Sequence, residues 1–281
     1  MKRIAYFLMV LSILMLSCSI SLTSTPPVVT EPPVVVTEPP VVEVPPVVTE
    51  PPVVTAPPIL SNVTCNELSI YLDPALASGY NCETVAAITE GPEVYPQYTK
   101  LTLQGYVLSG KFFEPQISIF QVSNYTGLLP DVVPGRVSAL QALISGGATG
   151  DSLPFLPSFP AAQAFHAQYR VLPFLSGGGV RFLTEYSQYY VPVNNEDLFY
   201  TYQGITNDGL YWVTAILPIN NPILPAGPDP LPGGASQEDF SNNYGSYISD
   251  MVNQLNSQTS DSYIPTLAAL DSLVASIVIQ P

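Results

Sequence analysis

Residues 170–219 read RVLPFLSGGGVRFLTEYSQYYVPVNNEDLFYTYQGITNDGLYWVTAILPI, and they carry the clearest structural pattern in the chain. Runs rich in Val, Tyr, Phe and Thr, which favour strands, alternate with short segments of Gly, Asn, Asp and Ser. Asn207-Asp208-Gly209 supplies residues that adopt positive φ in tight hairpins, and Ser176-Gly177-Gly178-Gly179 predicts a second turn. The stretch therefore predicts an antiparallel meander.

Two further strands are predicted on the N-terminal side of this meander. Residues 98–108 and residues 116–122 both alternate apolar with polar side chains, which is the period of a half-buried strand. A hairpin around Gly110 would join them. The pattern thus adds an antiparallel pair to the predicted sheet.

Helices are predicted between and after the strands. Residues 134–144 carry apolar residues at helical spacing, begin with Pro134 and stop before Gly146-Gly147. Residues 161–168 predict a second short helix. Ser236 with Asp239 forms a capping pattern, and two apolar stripes follow it: Phe240, Tyr244, Ile248, Met251 and Leu255, then Leu267, Leu270, Val274 and Ile277.

These elements predict an α+β fold. Two closing helices would cover one side of an antiparallel sheet of five to six strands, because each element then buries the apolar face of the other.

Residues 65–82, CNELSIYLDPALASGYNC, begin and end with cysteine, and Asp73-Pro74 and Gly79 divide them into short segments. Cys65 and Cys82 form an even pair in a chain that we expect to leave the reducing compartment. We predict a disulfide between them, in an N-terminal cap on the domain.

The first residues have the three-part layout of a secretory signal. Lys2 and Arg3 supply positive charge, residues 4–16 are an apolar run, and small residues follow. A membrane-spanning helix needs about 20 apolar residues, so the shorter run favours a cleaved leader. An uncleaved anchor over residues 4–22 is the alternative.

Met15-Leu16-Ser17-Cys18 resembles the lipobox of bacterial lipoproteins. That resemblance implies that Cys18 is acylated and becomes the new N-terminus. The chain would then be anchored in the lipid bilayer on the extracytoplasmic face of the cell membrane. Cleavage after Ser19 by ordinary signal peptidase, giving a secreted protein, is the competing interpretation.

Paired prolines recur every six or seven residues from Thr25 onward, in the repeats TPPVVTE, PPVVVTE and PPVVEV. Proline fixes φ and restricts the residue before it, so the repeat predicts a disordered stalk of polyproline II character. Such a tract would extend on the order of 100 Å. We therefore divide the chain into a signal peptide at 1–18, a stalk at 19–60 and one domain at 61–281.

Two segments of the domain resemble uncharacterised extracytoplasmic bacterial proteins: the CNELSIYLDPALASGYNC opening at 65–82 and the YQGITNDGLYWVTAILP hairpin at 202–218. This resemblance covers most of the chain, from Cys65 to the C-terminus, and implies no activity. In the order of its elements, the domain also resembles the Mog1/PsbP-like arrangement of a sheet with flanking helices.

The charge of the chain excludes nucleic acid as a partner. The formal net charge is −15 at pH 7. Binding to a phosphate backbone needs several clustered cations. Beyond the leader the basic residues are few: Lys100, Lys111, Arg136, Arg170 and Arg181.

No motif predicts a catalytic, cofactor-binding or metal site. His166 is the only histidine, and the chain has no G-x-S-x-G turn for a nucleophile. Zinc needs three or four Cys, His or carboxylate ligands, which one histidine and a bridged cysteine pair do not supply. Ser176-Gly177-Gly178-Gly179 lies between strands and not before a helix, so it favours a turn over a phosphate site.

Three weaker possibilities stay open. Residues 194–197, NNED, and Asn207-Asp208 offer oxygen ligands for calcium, although neither has EF-hand spacing. Paired carboxylates for glycoside cleavage can lie far apart in sequence. The tyrosines of the meander and Trp212 could form a stacking platform for sugar rings or peptides, or could simply pair across strands.

The hypothesis that follows is a surface-anchored lipoprotein presenting a non-enzymatic binding or structural domain on a stiff stalk. An envelope protein, a peptide or a glycan would be its partner. One alternative is an extracytoplasmic enzyme that uses carboxylates, for example in glycan hydrolysis. The other is an accessory lipoprotein of an envelope or transport assembly.

Overall fold

A seven-stranded antiparallel sheet runs through the computed structural model, which describes residues 61–280. Helices and strands are both present, so the α+β prediction is confirmed. The predictions for the leader, for Cys18 and for the stalk fall on residues 1–60 and lie outside the described residues.

The strands in chain order are β1 Val63–Cys65, β2 Leu68–Ile70, β3 Gly79–Val85, β4 Tyr98–Gln104, β5 Gln116–Gln121, β6 Ala162–Gln163, β7 Ala167–Phe174, β8 Gly177–Thr184, β9 Tyr186–Ser187, β10 Phe199–Thr206, β11 Tyr211–Pro218 and β12 Val278–Ile279. The main sheet has the order β3-β4-β5-β11-β10-β8-β7. Strands β1, β2 and β12 form a small second sheet, and β6 pairs with β9.

The helices are α1 Val122–Leu128, α2 Val133–Ile144, α3 Gln237–Asn242, α4 Tyr244–Ser257 and α5 Leu267–Ala275, with short 3-10 turns at Pro232–Gly234 and Ser260–Ser262. No helix within residues 61–280 is both long enough and apolar enough to cross a bilayer. The predicted cap of α3 is present, because the Ser236 hydroxyl accepts a hydrogen bond from the Asp239 amide.

The hairpin at Asn207-Asp208-Gly209 joins β10 to β11 as predicted, and it sets Ile205 opposite Trp212. Gly209 adopts a φ of 74°, which this tight turn requires. Strands β4 and β5 are also antiparallel neighbours, in agreement with the predicted hairpin around Gly110.

The glycines of Ser176-Gly177-Gly178-Gly179 lie inside strand β8 and not in the turn, so that part of the prediction is wrong. A Cβ on Gly177 would lie 2.2 Å from the carbonyl oxygen of Ile205. A Cβ on Gly179 would lie 2.6 Å from the ring of Tyr202. These glycines are therefore used for close packing between β8 and β10.

Both faces of the sheet are covered, whereas the sequence suggested helices on one side. Helix α2 packs against β8 and β10, in a core that contains Leu140, Phe182 and Trp212. Helices α4 and α5 pack against β7 on the opposite face, in a core that contains Tyr200 and Leu270.

The prediction of a helix at residues 161–168 is wrong. This segment forms β6 and the start of β7. Phe165 and Ala167 are both buried, a period of two that a helical interpretation missed.

The segment 65–82 holds Cys65 and Cys82 at disulfide distance, with their Cα atoms 5.5 Å apart. It is more than a cap, because the strand that contains Cys82, β3, pairs along its whole length with β4. This edge strand raises the sheet from the expected five or six strands to seven. The bond connects the main sheet to the small sheet that contains Cys65.

Candidate functional site

The chain leaves the main sheet after β8 and forms an exposed segment, residues 187–191, beside the short β6–β9 ribbon. Its tyrosines are the feature that distinguishes it. Tyr189 is 76% exposed and Tyr190 is 53% exposed. Singly exposed rings are ordinary, whereas exposed apolar groups that lie together mark binding sites, so this adjacent pair makes the segment a candidate site.

Local hydrogen bonds fix the backbone of the 187–191 segment. The Ser187 hydroxyl donates to the carbonyl of Tyr189 at 2.7 Å and accepts from the Tyr189 amide at 3.1 Å. The side chain of Gln237, on α3, donates to the Tyr190 carbonyl at 3.0 Å. Immediately after the segment, the Val193 amide donates to the Tyr247 hydroxyl of α4 at 3.0 Å. The exposed rings therefore stand on a backbone held from several sides.

One concavity of about 890 Å³ lies between this segment and helices α3 and α4. We call it the amide cleft. Its volume falls within the roughly 300–1,000 Å³ typical of ligand sites. The side chains that give it chemical character are Gln163, Gln188, Tyr189, Tyr190, Gln237 and Tyr244.

A second concavity of about 490 Å³ lies on the other side of the segment. We call it the phenylalanine cleft. The rings of Phe113 and Phe159 are 5.2 Å apart, and the rings of Phe159 and Tyr186 are 4.9 Å apart. Asp197 and Glu93 also line this cleft. The two clefts share the residues Ser187, Gln188, Tyr189 and Val191.

Glu185 is buried beneath the segment, with only 1% of its surface exposed. Its Oε2 accepts a long hydrogen bond of 3.4 Å from the Asn194 amide, and no described residue bonds to its Oε1. Burial raises the pKa of Glu185 well above its usual value, and the nearby charge of Asp197 raises it further. Glu185 is thus a buried carboxyl that favours its protonated form.

Asn194 connects the two carboxyl groups. Its Nδ2 donates to Oδ2 of Asp197 at 2.8 Å, while its backbone amide donates to Oε2 of Glu185. Its Oδ1 accepts from the amides of Glu196 and Asp197. The amide side chain thereby organises the NNED loop through hydrogen bonds within the protein.

The two loops proposed for calcium have structural roles. In the NNED loop, Oδ1 of Asn194, Oδ1 of Asn195 and Oδ2 of Asp197 all accept hydrogen bonds from within the protein. In the hairpin turn, Asp208 accepts from the Thr206 hydroxyl and from the Leu210 amide, and these bonds lower its pKa. Within residues 61–280, no three His, Cys, Asp or Glu side chains converge as a metal site.

His166 is half-buried near the start of β7. Burial lowers its pKa, and the neighbouring Asp151 partly opposes that effect. It lines neither the amide cleft nor the phenylalanine cleft. Its position gives no reason to assign it a role at the site.

Trp212 does not form an exposed platform. It is fully buried, and its Nε1 donates to Oε1 of Gln203 at 2.8 Å. Tyr200 and Tyr202 of the meander are buried as well. Within residues 170–219, the exposed aromatics are instead Tyr189 and Tyr190. The sequence contains one indication that these two tyrosines lie outside the central strands. Pro192 comes two residues after Tyr190, and proline is incompatible with a central strand.

Every basic side chain in residues 61–280 contacts an acceptor within the protein. None of them lines the amide cleft or the phenylalanine cleft. The contacts are Lys100 with Glu83 and Glu114, Lys111 with Asn195 and Asn220, Arg136 with Phe155 and Ser158, and Arg170 and Arg181 with Asp271.

This arrangement leaves the exposed charge predominantly acidic. The site is therefore a neutral, amide-rich and tyrosine-rich cleft beside a more apolar one, on a negatively charged domain.

No protein family model matches this chain, and no curated protein or solved structure matches it.

Proposed function

We propose that the chain is an exported, lipid-anchored protein that binds a ligand outside the cytoplasm through the two clefts beside Tyr189. The observation that carries the binding site is the position of Tyr189, which is 76% exposed on a hydrogen-bonded turn between two concavities. A backbone already held by hydrogen bonds needs little further ordering when a ligand binds to its exposed ring, and pre-ordering of this kind favours affinity.

The leader and the stalk support the proposed location. Acylation of Cys18 would anchor the chain, and the Pro-Val repeats of residues 19–60 would separate the domain from the bilayer. The disulfide-distance pair Cys65 and Cys82 agrees with an oxidising compartment. One acyl chain gives only marginal membrane binding, so stable anchoring would require a second acyl chain or another membrane-binding signal.

Cell fractionation tests the anchor. The full chain and its Cys18→Ala variant would be produced in a bacterium and followed through cytosol, membrane and medium. We expect the wild type in the membrane fraction and accessible to external protease. We expect the variant to lose the anchor and to leave the membrane fraction. Recovery of both in the cytosol, with Cys65 and Cys82 reduced, would contradict the proposal.

Binding is tested separately with isolated cell envelopes. The purified chain carrying Cys18→Ala, which removes the acyl anchor, should co-sediment with them, and adding Tyr189→Ala should reduce the bound fraction. Tyr80→Ala is the matched control, because Tyr80 is 41% exposed on edge strand β3 and lies outside both clefts. Equal co-sedimentation of all three proteins would argue against a site at Tyr189.

Glycan hydrolysis is the second candidate, and one observation favours it. The pKa of Glu185 is raised, and the charge of the nearby Asp197 carboxylate contributes to that rise. In glycosidases, one carboxyl with a raised pKa acts as the acid while a second, ionised carboxylate acts as base or nucleophile. Glu185, however, lines neither cleft, so substrate contact would require the 187–191 segment to move. Release of reducing ends from a polysaccharide, abolished by Glu185→Gln, would establish this candidate over binding alone.

A further inference from the structure

We propose that the amide cleft binds a neutral polysaccharide and discriminates against anionic ones. This inference rests on the proposed function, since it names the ligand class for the site beside Tyr189. It follows from the side chains that line the cleft, from their hydrogen bonds and from the distribution of charge around them.

The tyrosines supply faces for sugar rings. The rings of Tyr190 and Tyr244 are 4.6 Å apart with an interplanar angle of 34°, so they partly stack on each other, and Tyr190 remains 53% exposed. Tyr189 adds a ring that is largely exposed. A sugar ring has one face of C–H groups, which packs on an aromatic face, and hydroxyls at its edge, which need polar partners.

Glutamines supply those polar partners. Gln188 donates its Nε2 to the Pro160 carbonyl at 2.8 Å, and Gln237 donates its Nε2 to the Tyr190 carbonyl at 3.0 Å. These bonds hold both amides through their nitrogens, and no described residue donates to their oxygens, so those oxygens can accept from hydroxyl groups. Polar groups held in place beside exposed rings are the combination that a neutral sugar requires.

The cleft contains no residue that is charged at neutral pH. Its only titratable side chains are tyrosines, and burial raises the pKa of Tyr244 above that of an ordinary phenol. A bound anion would therefore lose its hydration without gaining a cation. A cationic peptide would likewise find no acidic partner inside this cleft, although the phenylalanine cleft offers Glu93 and Asp197.

The charge of the domain works against anions at longer range. The chain has a net charge of −15, and each basic side chain of the described residues already contacts a protein acceptor. An anionic polymer approaching the cleft would meet a negative field without a compensating cation. Neutral polymers experience no such repulsion.

Affinity electrophoresis of the full chain tests the inference. Native gels would contain one of four neutral polymers: hydroxyethyl cellulose, a β-1,3-glucan, a mannan or dextran. A parallel gel would contain the carboxymethylated derivative of the same polymer. We expect at least one neutral polymer to retard the wild type and its carboxymethylated form to leave migration unchanged. We expect Tyr189→Ala and Tyr190→Ala to weaken the apparent affinity at least about tenfold, with Tyr80→Ala unchanged.

The outcomes separate this inference from the proposed function. If none of the neutral polymers retards the wild type, the polysaccharide inference is overturned. If Tyr189→Ala still reduces binding to isolated envelopes in that case, the binding function stands with another ligand, such as a peptide. If Tyr189→Ala changes neither assay, both proposals fail. Equal retardation by a polymer and its carboxymethylated derivative would overturn the discrimination against anions.

Discussion

The guanidinium Nε of Arg181, on strand β8, lies 3.3 Å from Oδ1 of Asp271, on helix α5. The contact is an ion pair and not a well-aligned hydrogen bond. The Tyr200 hydroxyl donates to the same oxygen at 3.0 Å. One carboxylate thus connects two strands of the sheet to the helix that covers them, in a layer otherwise filled by apolar side chains.

Removing this carboxylate should destabilise the fold strongly. Asp271→Ala leaves Arg181, which is 6% exposed, as a buried cation without its partner, so we expect a loss of about 3–5 kcal/mol. Arg170→Ala is the control, because Arg170 contacts the same carboxylate from an exposed position, 3.6 Å away, and should cost at most about 1 kcal/mol. Urea unfolding followed by circular dichroism at pH 7 measures both. Similar losses for the two variants would contradict this account.

Two glycine substitutions should have opposite effects. In Gly179→Ala the new Cβ would lie 2.3 Å from the carbonyl oxygen of Gln203, so the strands must separate, and we expect a loss of at least about 2–3 kcal/mol. In Gly245→Ala the new Cβ meets nothing within 4 Å at an exposed position in the first turn of α4, and we expect a gain of up to about 1 kcal/mol. Thermal unfolding gives the sign of each change. A neutral result for Gly179→Ala would show that β8 and β10 are not packed this closely.

The bond between Cys65 and Cys82 should stabilise the domain by restricting the unfolded chain. Its sequence separation of 17 residues corresponds to about 3 kcal/mol in the loop-entropy description. We expect the double variant Cys65→Ala, Cys82→Ala to lose roughly this amount. The variant itself should not respond to a reducing agent, whereas the wild type should. Mass analysis with and without reductant checks the bond directly, and two free thiols in the folded wild type would refute it.

Glu185 should make stability depend on pH. Its pKa in the folded state is raised by burial and by Asp197, so above the ordinary value of 4.5 the folded protein retains a proton that the unfolded chain releases. The contribution of Glu185 therefore favours folding at low pH, and it declines as the pH rises from about 4.5 to the folded pKa.

Melting temperatures of the wild type and of Glu185→Gln between pH 4 and pH 8 test this dependence. The neutral amide cannot ionise, so the variant should gain stability relative to the wild type as the pH rises. Asp271 also has a pKa raised mainly by burial, and it contributes a decline of the same sign in both proteins. The informative quantity is thus the difference between the two curves, and a constant difference across the range would be inconsistent with a buried titrating Glu185.

The sequence predicts correctly those structural features that depend only on residues close together in the chain. The Asn207-Asp208-Gly209 turn, the strands on either side of it, helix α2 and the Ser236 cap all appear, because each depends on residues within a few positions of one another. The sequence predicts a turn at the glycines of β8, because their close approach to Tyr202 and Gln203 involves residues of another strand and leaves no local pattern.

The sequence predicts the type of residue at the candidate site but not which tyrosines form it. The sequence suggested a tyrosine platform, but Tyr200 and Tyr202 are buried while Tyr189 and Tyr190 are exposed. These pairs are alike in residue type and lie about ten positions apart. Packing against the helices distinguishes them, and that packing involves segments far away in the chain.

Sequence alone determined the α+β class and the meander, since periodicity and turn chemistry depend on the order of neighbouring residues, and it predicted the pairing of Cys65 with Cys82, which lie at disulfide distance. Tertiary structure decided that β3 joins the sheet, that both sheet faces are covered, and that Glu185 is buried below an exposed aromatic turn. The reason is physical. Burial, pKa and exposure are properties of an environment assembled from distant segments, and no local pattern specifies which segments will meet.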